Sequence, residues 1–226
     1  MSAATYKDLC VDAVDAARLG RFWSDVLGLE LRRRERDGMT LLVGAGDRHT
    51  VWVNQVPEPV SVKQRVHLDV HAARVDDVLA AGATAVDLES FSWKVLRDPE
   101  GGELCVFERE SVPDERLYEV GVDSADPERI ATWWADVLGS TVELGTDDWG
   151  GSWAGVPVPG APFGSFVFVA VPEPKTVKNR IHWDVDTPDL ELLVGDGARV
   201  LRAPDGDISW TVLADPEGNE FCAFEE

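Results

Sequence analysis

The sequence predicts an α+β protein made of four consecutive β-α-β-β-β units. Two observations carry this. Strand-like stretches of period two alternate with short helical stretches of period 3.6. The whole pattern also repeats between the two halves of the chain. Val56 to Val70 and Val171 to Val185 agree at 10 of 15 positions, each running Val-Pro-Glu-Pro into Arg-x-His-x-Asp. Asp98 to Glu108 and Asp215 to Glu225 agree at 8 of 11. The offset between copies is 111 residues at the first helix, 115 at His67/His182 and 117 at the final turn. The second half therefore carries small insertions, around 149–153 and 157–162 and then near 204–207.

In chain order, Asp8 to Ala13 alternates as a strand with Leu9, Val11 and Ala13 on one face. Asp15 is placed to cap a helix, in which Leu19, Phe22, Trp23, Val26 and Leu27 form one apolar stripe, and Gly28 sits where a left-handed C-cap is wanted. Strands are expected over 29–35, 39–43 and 50–55, with turns at Asp37-Gly38 and Gly44-Ala45-Gly46-Asp47. The order recurs with a strand at 65–71, a short helix marked by Val75, Val78 and Leu79, and strands at 84–88, 92–97 and 103–108. Asp98-Pro99-Glu100-Gly101 reads as the hairpin turn between the last two. Residues 110–116 contain Pro113 and read as a linker between a domain at 1–109 and a second at 117–226. In that second domain Asp126-Pro127-Glu128 is a strong helix start, and Ile130, Trp133, Trp134, Val137 and Leu138 rebuild the stripe before Gly139.

Composition narrows the function. A net charge of −21 opposes binding to nucleic-acid phosphates or anionic lipid and suits a cationic small molecule or simple solubility. No apolar run approaches the ~20 residues a bilayer span needs. The start of the chain has no signal-like apolar segment, and Cys10, Cys105 and Cys222 are too scattered for a disulfide framework. The expectation is a cytoplasmic protein, monomer or homodimer, that binds neither membrane nor nucleic acid. There is no glycine-rich phosphate loop, nucleophile elbow or Cys-x-x-Cys.

Phe22-Trp23 and Trp133-Trp134 ahead of Val-Leu-Gly, the paired Arg-x-His-x-Asp strands, and the two Asp-Pro-Glu-Gly hairpins ending in Glu-x-Cys-x-Phe span nearly the whole chain. Together they resemble the vicinal oxygen chelate superfamily, and within it the glyoxalase-like and bleomycin-resistance-like proteins. The resemblance implies curved sheets that half-enclose ligand cups, with helices outside. It also implies metal-ligand positions on the first, fourth, fifth and eighth strands. Carried across, these are Asp8, Trp52, His67 and Cys105 in the first half, and Glu119, Phe168, His182 and Cys222 in the second. Trp52 and Phe168 cannot ligate, so the expectation is no metal. The alternative pairs the halves, Asp8 with His182 and Cys222, and Glu119 with His67 and Cys105, around a divalent zinc, nickel, iron or manganese ion.

Independently of the resemblance, the polar faces of four strands carry Asp8/Cys10/Asp12, His67/Asp69/His71, Glu119/Gly121/Asp123 and His182/Asp184/Asp186. With helices on the apolar faces, these line the cups. His67 with Asp69 and His182 with Asp184 are then candidate acid/base pairs or ligand contacts. Trp52, Trp149, Trp153 and Phe168, with Asp8 and Glu119, are candidate ligand-binding residues, Trp149 and Trp153 as an aromatic flap. Trp23, Trp134, Trp93 and Trp210 are expected in the core. Lys63, Arg65, Lys178 and Arg180 are expected to pair with carboxylates, or else to hold a ligand anion. Two functions stay open. One is a metal-independent, resistance-type binder of a bulky aromatic or cationic natural product. The other is a lyase or isomerase using a metal or a His-Asp pair.

Overall fold

The computed structural model describes residues 2–33, 39–46, 48–146 and 150–225. The expected turn at Asp37-Gly38, Asp47 of the next turn, and Trp149 lie outside the described residues. The first unit contains β1 (Thr5–Ala13), α1 (Ala16–Leu27), β2 (Glu30–Arg33), β3 (Thr40–Val43) and β4 (Thr50–Gln55). The second contains β5 (Val66–Ala72), α2 (Val75–Ala80), β6 (Thr84–Asp87), β7 (Lys94–Arg97) and β8 (Glu103–Glu108). The third contains β9 (Leu117–Ser124), α3 (Pro127–Leu138), β10 (Glu143–Thr146), β11 (Ser152–Pro157) and β12 (Ser165–Ala170). The fourth contains β13 (Ile181–Thr187), α4 (Leu190–Gly195), β14 (Arg199–Arg202), β15 (Thr211–Ala214) and β16 (Glu220–Glu225).

These strands make two eight-stranded mixed sheets, ordered β14-β15-β16-β13-β1-β4-β3-β2 and β10-β11-β12-β9-β5-β8-β7-β6. Each sheet thus joins one unit from either side of 110–116. The first unit pairs with the fourth through β1 and β13, antiparallel, and the second with the third through β5 and β9. Sequence repetition does not reveal this exchange, because backbone pairing leaves no mark in side-chain periodicity.

Helix caps form as their residues dictate. Asp15 accepts from the Arg18 amide and Asp126 from that of Arg129, while Gly28 and Gly139 close the two long helices at φ 69° and 64°. The helical stripes bury Phe22 and Trp23, and Trp134, against the apolar strand faces. Trp134 packs edge-on against Trp183 of β13, Phe166 of β12 and Phe221 of β16, so one indole bridges both sheets. The core therefore lies on the helix side of both sheets, and each sheet's other face is a cup.

The Asp-Pro-Glu-Gly turns do more than reverse the chain. Asp98 Oδ1 accepts from the Glu100 and Gly102 amides, which shapes the turn. Glu100 then accepts from the Val14 and Asp15 amides at 2.8 and 2.7 Å, at the entry to α1 on the other sheet. Glu217 does the same for Ala125 and Asp126 ahead of α3. Each turn thereby gives an acceptor to the N-cap amide of a long helix and to the amide just before it.

Candidate functional site in two cups

An irregularity in β1 sets up the first cup. Pairing with β13 shifts register between Tyr6 and Leu9, and both Lys7 and Asp8 reach the polar face. Lys7 Nζ meets Asp186 Oδ1 at 2.7 Å and lies 5.0 Å over the Phe224 ring. Asp8 is hydrogen-bonded by Trp52, and burial raises its pKa against that bond. At the floor Cys10 stands directly opposite His182, and Cys222 lies beside Asp184. Trp210 stacks on Phe224 at 5.4 Å and hydrogen-bonds Cys222.

The second cup repeats the plan with different residues. A register shift at β9 against β5 leaves Tyr118 where the first cup has Lys7. Tyr118 packs on His71 at 4.5 Å and edge-on to Phe107 at 5.1 Å. Trp93 stacks between Phe91 and Phe107, and the Arg109 guanidinium lies 5.6 Å over both Phe107 and Tyr118. On the opposite wall the Trp153 ring covers Gly145, where a Cβ would come within 2.3 Å of it. His67 lies over Gly121, which again has no side chain to obstruct the ring. His67 Nε2 sits 3.3 Å from Asp69 Oδ1, close enough for an ion pair but off the hydrogen-bond direction.

The two floors differ electrostatically. Burial opposes charge on His67, yet the Asp69 carboxylate and then Cys105 outweigh it and hold its pKa well above the usual value. His182 has no such support. Its Nε2 is 3.9 Å from Asp184 Oδ1, and burial, then Lys178, push it down to about 4. Burial and then Asp8 raise Asp184 to about 7, while burial and then Asp69 and Glu143 raise Glu119 to about 7. The neighbouring carboxylate and thiol thus favour the charged imidazole in the second cup, whereas burial favours the neutral one in the first. Burial pushes all three thiols upward.

The structure revises several expectations. Phe168 is fully buried on the core face, and Val167 takes the position matching Trp52, so the sequence comparison was one residue out of register there. Trp23 and Trp134 are core, but Trp93 and Trp210 are half-buried cup residues stacked on Phe107 and Phe224. Trp153 belongs to β11 and not to a flap. The ion pairs of the basic residues run between the halves. Lys63 reaches Asp123 at 2.5 Å, Lys178 reaches Asp12, and Arg180 reaches Glu100 at 3.4 Å. These straps line a hollow of about 660 Å³ away from the cup floors, whose cations are already engaged with carboxylates or carbonyls.

The donor sets differ from those expected too. Among the described residues, ligating atoms within 4.8 Å of one another occur in Cys10, His182 and Asp184, and in His67, Asp69 and Cys105. Asp8, Cys222 and Glu119 do not join these groups. Asp184 and Asp69 are only 6% and 8% exposed, and each keeps a buried Oδ1 without a hydrogen-bond donor, as does His182 at Nδ1. One sulfur, one nitrogen and one oxygen suit the divalent metal that the fold resemblance implies, and a cation would satisfy the orphaned oxygens. No feature of the sequence distinguished Cys10 as a donor; the strand register places it.

The family described as "Glyoxalase-like domain" matches residues 8–107 and again 119–224. A comparison with curated proteins finds no match. Among solved structures, glyoxalase I from Zea mays superposes with a TM-score of 0.68 at 16% identity, covering 98% of this chain and 92% of that one. The cppA protein from Streptococcus pneumoniae superposes with a TM-score of 0.53 at 11% identity, covering 100% of both. Among the described residues no helix is long and apolar enough to cross a membrane. With both halves matched and two cup-forming mixed sheets in place, the chain belongs to the glyoxalase-like family of the vicinal oxygen chelate superfamily.

Proposed function

We propose that the protein binds a small planar molecule in the second cup, with the ligand's donor or cationic group meeting Glu119. The observation that carries this is the pairing of an aromatic wall, Trp93, Phe107 and Tyr118, with the carboxylates Asp69 and Glu119 on one concave face. Aromatic faces take planar and cationic groups, and Arg109 already lies over two of these rings. A half-buried carboxylate holds a cation more strongly than an exposed one, because less water screens it. The acidity of the chain favours the same class of ligand by steering.

The test is tryptophan-fluorescence titration with a panel of planar aromatic cations and their uncharged isosteres. Saturable quenching is expected, weakened by Trp93→Phe and, for the cations alone, by Glu119→Gln. Quenching that is absent across the panel, or unchanged in both variants, overturns the reading.

A second reading, catalysis, is favoured by the His67–Asp69 contact beside Glu119. Glu119, at about 7, is matched to taking a proton near neutrality. Turnover of bound ligand that Glu119→Gln abolishes while binding persists supports it.

A further inference from the structure

We propose that the hollow between the two straps that cross from sheet to sheet is a binding site separate from both cups, and that it takes a small molecule with an apolar body and an acidic group at each end, of the linear dicarboxylate class. The inference does not rest on the ligand reading above.

The exchange of units between sheets creates the hollow. Residues 56–65 carry the chain from β4 in one sheet to β5 in the other, and residues 171–180 carry it back from β12 to β13. The straps hold each other in place. Arg65 donates to the Glu173 and Asp123 carbonyls at 2.6 and 2.7 Å, and Arg180 donates to the Glu58 and Asp12 carbonyls. Each guanidinium thus ties its own strap to the opposite one. The space of about 660 Å³ that both straps line is therefore preformed, and its size is that of an ordinary small-molecule site.

The lining repeats at the offset of 115 residues that relates His67 to His182: Pro59 answers Pro174, Val62 answers Val177 and Lys63 answers Lys178. Val62 and Val177 are 45% and 46% exposed, apolar surface that a ligand body would cover. The two ends of the hollow are alike. Lys63 meets Asp123 and Lys178 meets Asp12, and in each pair the charges are unequally placed. The lysine side chains are 55% and 57% exposed, the carboxylates 9% and 7%. An ammonium has three N–H donors, and among the described residues each of these two hydrogen-bonds that one aspartate. Donors therefore remain on the open side of each ammonium, and a ligand carboxylate takes them in a charge-assisted bond without breaking the ion pair. In the lining Lys63, Arg65, Lys178 and Arg180 balance Asp12, Asp123, Glu58 and Glu173, whereas the chain carries −21, so an anion is repelled less here than over the surface at large.

The full-length protein, chelator-treated and desalted so that no metal draws a carboxylate into a cup, is titrated calorimetrically. The probes are the linear dicarboxylates from succinate to sebacate, monocarboxylates of the same lengths, and the matching diamines. Saturable binding is expected for the dicarboxylates with an optimum at one length, because the two ammoniums stand at a fixed spacing. Monocarboxylates should bind about tenfold more weakly, having lost one bond to a charged group, and diamines not at all. The best dicarboxylate should also raise Tm. Lys63→Met or Lys178→Met should weaken it about tenfold, and the double variant should abolish binding. Each lysine change strips a buried carboxylate of its partner, so Val62→Trp, at an exposed position, supplies a variant that fills the hollow with both ion pairs kept; it should block binding. Lys7→Met and Arg109→Met, which remove a cation from each cup, should leave the affinity unchanged. No saturable binding of any dicarboxylate overturns the proposal, as does equal binding of the monocarboxylates. Binding retained in Val62→Trp but lost in Lys7→Met or Arg109→Met places the anion in a cup and overturns it too.

Discussion

Replacing Gly121 by alanine should separate His67 from Asp69 and make the second floor behave like the first. Gly121 lies in β9 without a positive φ, so alanine is acceptable to the backbone and the effect is steric. A Cβ there would stand 2.4 Å from His67 Cε1 and Nε2. Ordinary carbon contacts are about 3.5–4.0 Å, so the ring must withdraw by roughly 1 Å. The 3.3 Å His67–Asp69 contact would then open to about the 3.9 Å that separates His182 from Asp184, where Cys10 occupies the position of Gly121. Overpacking of this kind costs about 1–3 kcal/mol. The pH dependence identifies the cause. His67 is held above its ordinary pKa against burial by Asp69 and Cys105. Its stabilising contribution is therefore fully present below the unfolded value near 6.5 and disappears as pH rises through the folded value. The variant should lose more stability at pH 6 than at pH 9 relative to wild type. Urea unfolding of chelator-treated protein at both pH values measures this, with the His67 titration followed by NMR. An unchanged His67 titration together with a pH-independent loss would refute the argument.

Other consequences follow from the same geometry. Glu100→Ala should cost about 1–2 kcal/mol in thermal or urea unfolding, since the Val14 and Asp15 amides ahead of a long helix lose their side-chain acceptor, and Glu217→Ala should cost less, because the Asp126 amide keeps Ser124 Oγ as an acceptor. Glu119 and Asp184 are raised to about 7 by burial and neighbouring carboxylates, so the folded protein holds their protons more tightly than the unfolded chain. The stability they contribute is full below their unfolded values and lost as pH rises through about 7. Glu119→Gln and Asp184→Asn should each flatten the pH–stability profile between pH 4 and 7 in chelator-treated protein. Phe168→Ala should cost about 3–5 kcal/mol through a core cavity, whereas Val167→Ala, on the half-buried cup face, should cost clearly less.

Much of the fold was legible in the sequence because the signals are local. The stripe Leu19, Phe22, Trp23, Val26, Leu27 and its repeat at Ile130 to Leu138 follow from helical spacing, and Asp15, Gly28, Asp126 and Gly139 cap helices by their own chemistry. Alternation along β5 and β13 placed His67, Asp69, His182 and Asp184 on one polar face. Alternation is less decisive where both faces carry apolar residues. Phe166, Val167, Phe168 and Val169 offer no polar marker of side, and Phe168 was accordingly placed on the wrong one. The aromatic rims were obscured for a related reason. Trp93 and Trp210 precede strands β7 and β15, so their direction is set by the chain's entry into the hairpin and not by a periodic pattern.

The sequence alone determined the four-unit repeat, the helix limits and the polar face, since each depends on residues close together in the chain. Only the tertiary structure decided how units exchange between sheets, that Cys10 meets His182 while Gly121 meets His67, and that the carboxylates of the two cups keep an orphaned oxygen. Those facts depend on strand register between segments far apart in the chain, as for Cys10 and His182. A one-residue slip reverses every side chain of a strand, so chemistry at the cup floors is specified by long-range pairing that local pattern cannot encode.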